Sequence, residues 1–206
     1  TPDQKLRKAM YDPLTEQKAV SGTVSLIGSD FTLDESSDIR WILRTTGYTL
    51  KELPGCRTWE EYQQLGTGEL LISCYPPAKY GADILAERLK RQHLYLPGSF
   101  DYGEIKEEIQ SLIHALRIEK NVSSDDLEAF FEREITLCED TFRHTKTVIG
   151  DTPIVLDYLF HPRPLGLAKI LLEHEFQVTA VYLDSISPEE KSTFDWLKTY
   201  HPDLEL

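Results

Sequence analysis

Long apolar runs are missing from this chain of 206 residues. Nowhere do the roughly 20 consecutive apolar residues of a membrane helix occur, and no signal-peptide pattern is present, so no membrane partner is expected. Basic residues are in deficit, 22 Lys and Arg against 35 Asp and Glu, and the resulting net charge of -13 repels nucleic acid and anionic lipid alike. Cysteine is scarce: Cys56, Cys74 and Cys138 are an odd number, far apart, with no CxxC pair. That usage fits a reducing compartment and not a disulfide framework, so a cytoplasmic location is expected. Cofactor and hydrolase signatures are missing as well. "LIGSD" has one glycine where a dinucleotide fingerprint needs GxGxxG, and there is no GxxxxGK[ST], no GxSxG and no Ser/His/Asp order. The chain opens "TPDQKLRK" without an initiator Met, which suggests a processed or excised piece.

What is present is an alternation. "AVSGTVSLIG" reads as a buried strand ending in a glycine turn, and "LDESSDIRWILRTTGY" as a helix stopped by Gly47. "YTLKELPG" is a short strand, and "TWEEYQQLG" a helix capped by Thr58 with Glu61 at capping-box spacing. "ELLIS", "PAKYGADILAERLKRQ", "HLYLPGSF" and "YGEIKEEIQSLIHALRI" continue as strand, helix, strand, helix. Short strands between helices of 10–17 residues predict βαβ units and hence a doubly wound parallel sheet. One helix of about seven turns follows, with Leu127, Phe131, Ile135, Cys138 and Phe142 on an apolar stripe that makes Cys138 a packing residue. After Gly150 the alternation resumes through "TPIVLDYLF", "LGLAKILLEHE", "FQVTAVYLDS" and "SPEEKSTFDWLKTYHP". The expected organisation is a helical lead-in over 1–19, a Rossmann-like domain over 20–120, a linking helix over 121–150 and a partial second Rossmann-like unit over 151–206. Two strand–helix pairs are too few for a complete sheet, so the second unit reads as cut off within its fold.

Two strand ends carry the candidate chemistry. Ligands of open parallel sheets gather outside the carboxyl ends of the strands. Cys74 closes the run "ELLIS" beside a helix start, where the helix dipole favours a thiolate, and the following Tyr75-Pro76-Pro77 stiffens the turn. A lone cysteine in that place is either a ligand or nucleophile or simply packing, and spacing alone leaves both readings open. "FHPRPLG" sets His161 and Arg163 at a second strand end, where Arg163 would hold an anion or lie exposed in a loop. His114, His144 and His174 fall within helices without ligand-type partners, and His93 and His201 pair with no cysteine or carboxylate at metal spacing.

These segments, taken in order, resemble the component 1 family of nitrogenase, in particular its α-type subunits and the homologous cofactor-assembly scaffolds. "VSLIGSDF" is similar to the family's strand and IGDYN-type turn, and "ILRTTGY" to its helix end. "PGCRTWEEY" is similar to its SGDG segment. "LLISCYPPAKYGADILAERLKRQHLYLPGSFDYG" resembles its Cys-Tyr turn, helix and Gly-Ser-Phe turn, and "VLDYLFHPRPLGLAKILLEHEFQVTAVYLDS" its Arg-Pro loop and the flanking elements. The likeness runs from about Val20 to Asp184. It implies three Rossmann-like domains in a full subunit, of which this chain would hold the middle one, the linking helix and the start of the third.

It further implies Cys74 as a metal ligand and cofactor-binding thiolate, and Arg163 as a catalytic and cofactor-binding group beside it. The implied cofactor is an iron–sulfur or molybdenum–iron cluster in the intact protein, with none bound by this piece. The implied partners are a homologous component 1 subunit and an ATP-driven iron–sulfur reductase that feeds electrons to a difficult substrate; an assembly scaffold or a tetrapyrrole-reductase type of subunit is the alternative. The chain departs from the pattern where Phe160 and His161 replace two glycines before the Arg-Pro loop, and where Asp30 stands in place of an aromatic. The family's other cluster cysteines and its cofactor histidine fall outside the matched segments.

Overall fold

The computed structural model describes residues 1–118 and 122–206. The boundary expected between 120 and 121 lies outside the described residues. The chain divides into two compact units, one formed by Thr1–Gly98 with Glu107–Ser123 and the other by Ser99–Lys106 with Ser124–Leu206.

In the first unit α1 (Pro2–Tyr11) starts on a capping box. The Thr1 hydroxyl accepts from the Gln4 N–H, the Gln4 side chain reaches back to the terminal amine, and Pro2 occupies a first-turn position that needs no donor. There follow β1 (Val20–Leu26), α2 (Asp38–Thr45), β2 (Thr49–Glu52), α3 (Trp59–Gln63), β3 (Gly68–Ser73), α4 (Ala78–Leu89) and β4 (Gln92–Tyr95). All pairings are parallel and the sheet order is β2-β1-β3-β4. The burial pattern follows that order. The carboxyl halves of the inner strands β1 and β3 are buried at consecutive residues, whereas β2 and β4 have no fully buried residue. Inner strands are covered on both faces, so Val24 and Leu26 of β1, with Ser25 buried between them, and Leu70, Leu71 and Ile72 of β3 are all buried.

The strand order reverses between β1 and β3. Because crossovers are right-handed, α2, on the way from β1 to β2, and α4, on the way from β3 to β4, fall on opposite faces. This is the Rossmann-like, doubly wound sheet that the alternation predicts. One side of its core joins Tyr11, Leu14, Ile27, Leu65, Leu71, Ala82, Leu85 and Leu89. The N-terminal helix is therefore built into the core.

The second unit takes the first turn of α5 (Tyr102–Leu116), then α6 (Ser124–Ile149), β5 (Ile154–Asp157), α7 (Pro164–Glu173), β6 (Val178–Tyr182) and α8 (Lys191–Tyr200). β5 and β6 pair in parallel, and Glu205 bridges beside Ala180 on the far side of β6. Leu156, Leu165, Ala168, Val178, Val181, Leu197 and Leu204 make its core. α6 buries only Phe130 and Phe131. Cys138, expected within the apolar stripe, is exposed, because the stripe loses its cover beyond Phe131. No helix among the described residues is long and apolar enough to cross a membrane.

Candidate functional site

In an open parallel sheet the ligand crevice lies at the carboxyl ends of the two strands between which the order reverses. Here these are β1, which runs out through Ile27 and Gly28, and β3, which runs out through Ser73 and Cys74. The Ile27 N–H bonds the Ile72 carbonyl at 2.8 Å, which keeps the two ends side by side. Gly28 has φ +79°, and a Cβ there would lie 2.1 Å from that of Ala78, the first residue of α4. Only glycine lets the β1 turn pass so close under the helix start.

The crevice is filled by the chain's own first helix. Tyr11, 1% exposed, offers its hydroxyl oxygen to the Gly28 N–H at 2.8 Å. Burial, chiefly, pushes its phenol up to about 12. Arg7 donates to the Gly28 carbonyl at 3.1 Å, pairs with Asp30 at 2.6 Å and lies over the Tyr75 ring at 4.8 Å. Asp30, the departure noted in the sequence, is thus the partner of an arginine from α1. Further along, a Cβ on Gly81 of α4 would come within 2.9 Å of Lys8 Cα, so α1 and α4 pack backbone to backbone.

Cys74 is the first residue past β3 and is half-buried. The sequence places it against a helix dipole; in the structure α4 begins only at Ala78, and three residues separate the sulfur's residue from the first turn. Burial, followed by the negative charges of Glu108 and Glu52, pushes the thiol up to about 12. Glu52 at the end of β2 is itself held by Arg40 and by the Leu33 N–H. Cys74 is therefore a neutral thiol at physiological pH.

In the second unit Arg163 caps α7 at its amino end and is 3% exposed. Its Nη2 donates to Glu104 at 3.3 Å and to the Glu189 carbonyl at 3.4 Å. The amino terminus of α7 is a ready anion site, and Glu190 fills it. This carboxylate, 1% exposed, accepts the Gly166 N–H at 2.9 Å. Burial raises its pKa, while that N–H, the nearby Arg163 charge and the Leu165 N–H oppose the rise. His161 accepts the Arg163 N–H at 3.0 Å and meets Phe100 edge-on with ring centroids 4.9 Å apart. Burial lowers its pKa, so the ring is neutral. A cleft of about 210 Å³ lies beside Arg163, walled by Phe100, Lys169, Ser192, Thr193 and Trp196 among others.

A cluster bound through this chain would need a thiolate at Cys74 and an open positive pole near Arg163. In the metal-free chain the thiol is protonated among carboxylates, so a metal there would have to displace its proton against Glu108 and Glu52. Arg163 and the α7 terminus are engaged by Glu104, Glu189 and Glu190. No group of three or more His, Cys, Asp or Glu among the described residues has metal-binding geometry. Cys74, protonated among carboxylates, and Arg163, already engaged by its own partners, are poorly matched to such a cluster as they stand.

One constellation is invisible in the sequence. Ser73 Oγ lies 2.8 Å from His93 Nε2, and His93 Nδ1 lies 2.7 Å from Asp83 Oδ1. Strand β3, helix α4 and strand β4 of one βαβ unit bring the three together. With the Nδ1 proton directed at Asp83, the Ser73 hydroxyl donates to Nε2. The distances are those of a nucleophile with its base and orienting acid, but Ser73 has no exposed surface. Sealed from any substrate, the trio braces the β3–α4–β4 unit. The signals that would have found it are a histidine inside a strand and a serine ending an apolar one, each in need of a partner.

In fold the chain is similar to nitrogenase Cp1. A structure of nitrogenase Cp1 at pH 6.5 matches with a TM-score of 0.62 and 13% identity, over 93% of this chain and 38% of the other. Nitrogenase Cp1 at pH 5 matches with a TM-score of 0.61 and 12% identity, over 97% of this chain and 43% of the other. This chain thus spans about two-fifths of the length of the Cp1 chains it matches. Identity at that level carries the nitrogenase Cp1 fold and no residue roles. No protein-family model matches the chain, and no curated protein matches its sequence.

Proposed function

We propose that the chain is part of a nitrogenase component 1-like oxidoreductase subunit and contributes Rossmann-like scaffold to it. The intact subunit would pair with a homologous component 1 subunit and take electrons from an ATP-driven iron–sulfur reductase. The observation that carries this reading is the fold match over 93% of the chain, which takes in both compact units. The ordered sequence resemblance from Val20 to Asp184 supports it. Any iron–sulfur or molybdenum–iron cluster of the intact protein is, in this reading, held by residues other than Cys74 and Arg163, which serve as packing and capping groups. The 206 residues alone are then catalytically silent.

The test is ATP-dependent oxidation of an ATP-driven iron–sulfur reductase, followed by its visible absorbance, with the anaerobically purified intact protein. Oxidation that requires ATP and the intact protein supports the reading; no association and no electron transfer sinks it. In parallel, Cys74→Ala leaves the iron content of the intact protein unchanged, and loss of iron would return Cys74 to the metal. A second reading, a cofactor-assembly scaffold, draws on the same neutral thiol and filled helix terminus. It predicts cluster transfer to an acceptor protein with no sustained reductase oxidation.

A further inference from the structure

His174 ends α7 and lies against α6 within the second unit. Its Nδ1 is 2.8 Å from the Ile170 carbonyl oxygen, and its Nε2 is 3.0 Å from Glu139 Oε2. A carbonyl only accepts. The Glu139 carboxylate also accepts, because Tyr102 donates its hydroxyl to Oε1 at 2.8 Å, and the bonds from His174 and Tyr102 hold its pKa low. A neutral imidazole carries one N–H and satisfies one of these acceptors, leaving the other nitrogen lone pair against lone pair. The imidazolium satisfies both.

The segment this ring touches has little else to hold it. From Glu132 to Ile149 no residue of α6 is buried. The stretch is tied down by Glu139 to His174 and Tyr102, and by Phe142, stacked on the His174 ring at 4.2 Å and edge-on to Phe176 at 6.3 Å. Lys146 adds a bond to the Glu175 carbonyl at 2.7 Å. We propose that protonated His174 is a pH-operated lock that fastens the carboxyl half of α6 to the end of α7.

The surrounding charges favour the closed state. Glu139 of α6 and Glu173 of α7 face the ring with negative charge, and Tyr102 of α5 reaches it through Glu139 as a neutral phenol whose pKa burial and Glu139 raise. Two cations of α6 lie near this site, each beside a carboxylate of its own. Arg143 pairs with Asp140 and also helps to hold the Glu139 pKa low, and Lys146 pairs with Asp151 while bonding the Glu175 carbonyl. Burial opposes the imidazolium charge, and the bonds to Ile170 and Glu139 outweigh it, so the folded-state pKa is raised. A raised histidine pKa gives stability that is complete below the ordinary value of about 6.5 and lost as pH climbs through the folded value. The lock is closed below about pH 6.5 and opens as pH rises through the raised folded-state value.

The experiment is a pH titration of the His174 ring in the full chain by NMR, together with hydrogen exchange of residues 132–149 between pH 6 and 9, corrected for the intrinsic exchange rate. The expected midpoint lies above 6.5, and protection of 132–149 falls with the same midpoint, roughly tenfold for each unit by which the pKa is raised. Residues 124–131, anchored by Phe130 and Phe131, hold their protection. Glu139→Gln brings the midpoint down towards the ordinary value, and His174→Gln leaves protection low and independent of pH. A midpoint at or below 6.5, or exchange with no inflection at the His174 midpoint, overturns the proposal.

Discussion

Tyr11 sets one hydroxyl where the sheet's turn would otherwise carry an unpaired N–H. The Gly28 N–H is buried and donates to that oxygen at 2.8 Å, and a buried donor stripped of its acceptor costs about 1–3 kcal/mol. Tyr11→Phe keeps the ring and removes the acceptor, so its unfolding free energy should fall by that amount, read as a lower urea midpoint at unchanged slope. Gly28→Ala should be much worse, because it adds a Cβ 2.1 Å from Ala78 at a positive φ; loss of cooperative folding is the expected outcome, and circular dichroism reads it. Cys74 gives a kinetic counterpart. With its thiol pushed up to about 12, it holds on the order of a thousandfold less thiolate at pH 8 than an ordinary cysteine near 8.5. Iodoacetamide should therefore mark exposed Cys138 first and reach Cys74 only when urea opens the fold, as mass spectrometry of the peptides would report. Fast labelling of Cys74 in the native protein contradicts the neutral thiol. From sequence, Cys74 reads either as a thiolate beside a helix start or as packing, and spacing leaves both open. The start of α4 at Ala78 and the approach of Glu108 and Glu52 are tertiary facts that no local spacing carries.

Among the elements, the β3–α4–β4 unit shows how a polar brace works inside a parallel sheet. Asp83 holds His93 and Lys79; burial works to raise its pKa, but the bonds to those two partners win and lower it. A carboxylate whose folded pKa is depressed stabilises above its unfolded value of about 3.9, and the contribution disappears as pH falls through the folded value. Asp83→Asn should remove this part of the acid sensitivity, so the stability difference from the parent protein shrinks below pH 4 in acid unfolding curves. His93→Ala should cost about 1–3 kcal/mol at every pH where the parent folds, since it leaves the buried Ser73 hydroxyl without its ring partner. Helix ends were far more legible than this trio. Thr58 and Glu61 form the expected capping box, because a cap depends on residues three apart. Ser73, Asp83 and His93 are ten apart and meet only once the strands have paired.

At the scale of the molecule, alternation and burial carry the architecture. The burial that marks β1 and β3 as interior strands and β2 and β4 as edges appears only in the fold. From the alternation of short strands with helices, a doubly wound parallel sheet is readable before any coordinates. The role of α1 was not, because it reads as a lead-in preceding the sheet. In the folded chain it supplies Tyr11 to the core and Arg7 to the crevice at the reversal point, and Leu14 follows it into the same core. Its contacts are distant in sequence, so nothing local distinguishes it from an appended arm. The two readings differ in what truncation does. An arm can be removed with little change to the sheet. A built-in helix cannot: Tyr11 and Leu14 are almost wholly buried, and emptying a core site of that size costs about 2–5 kcal/mol each, before the unpaired Gly28 N–H is added. Against a typical domain stability of about 5–15 kcal/mol, deletion of residues 1–14 should abolish the cooperative transition of the first unit. Thermal unfolding of the truncated chain, followed by hydrogen exchange in β1 and β3, checks this. Native-like protection of those strands without α1 would show that the crevice at the reversal point stays formed when empty, and would restore it as a ligand site.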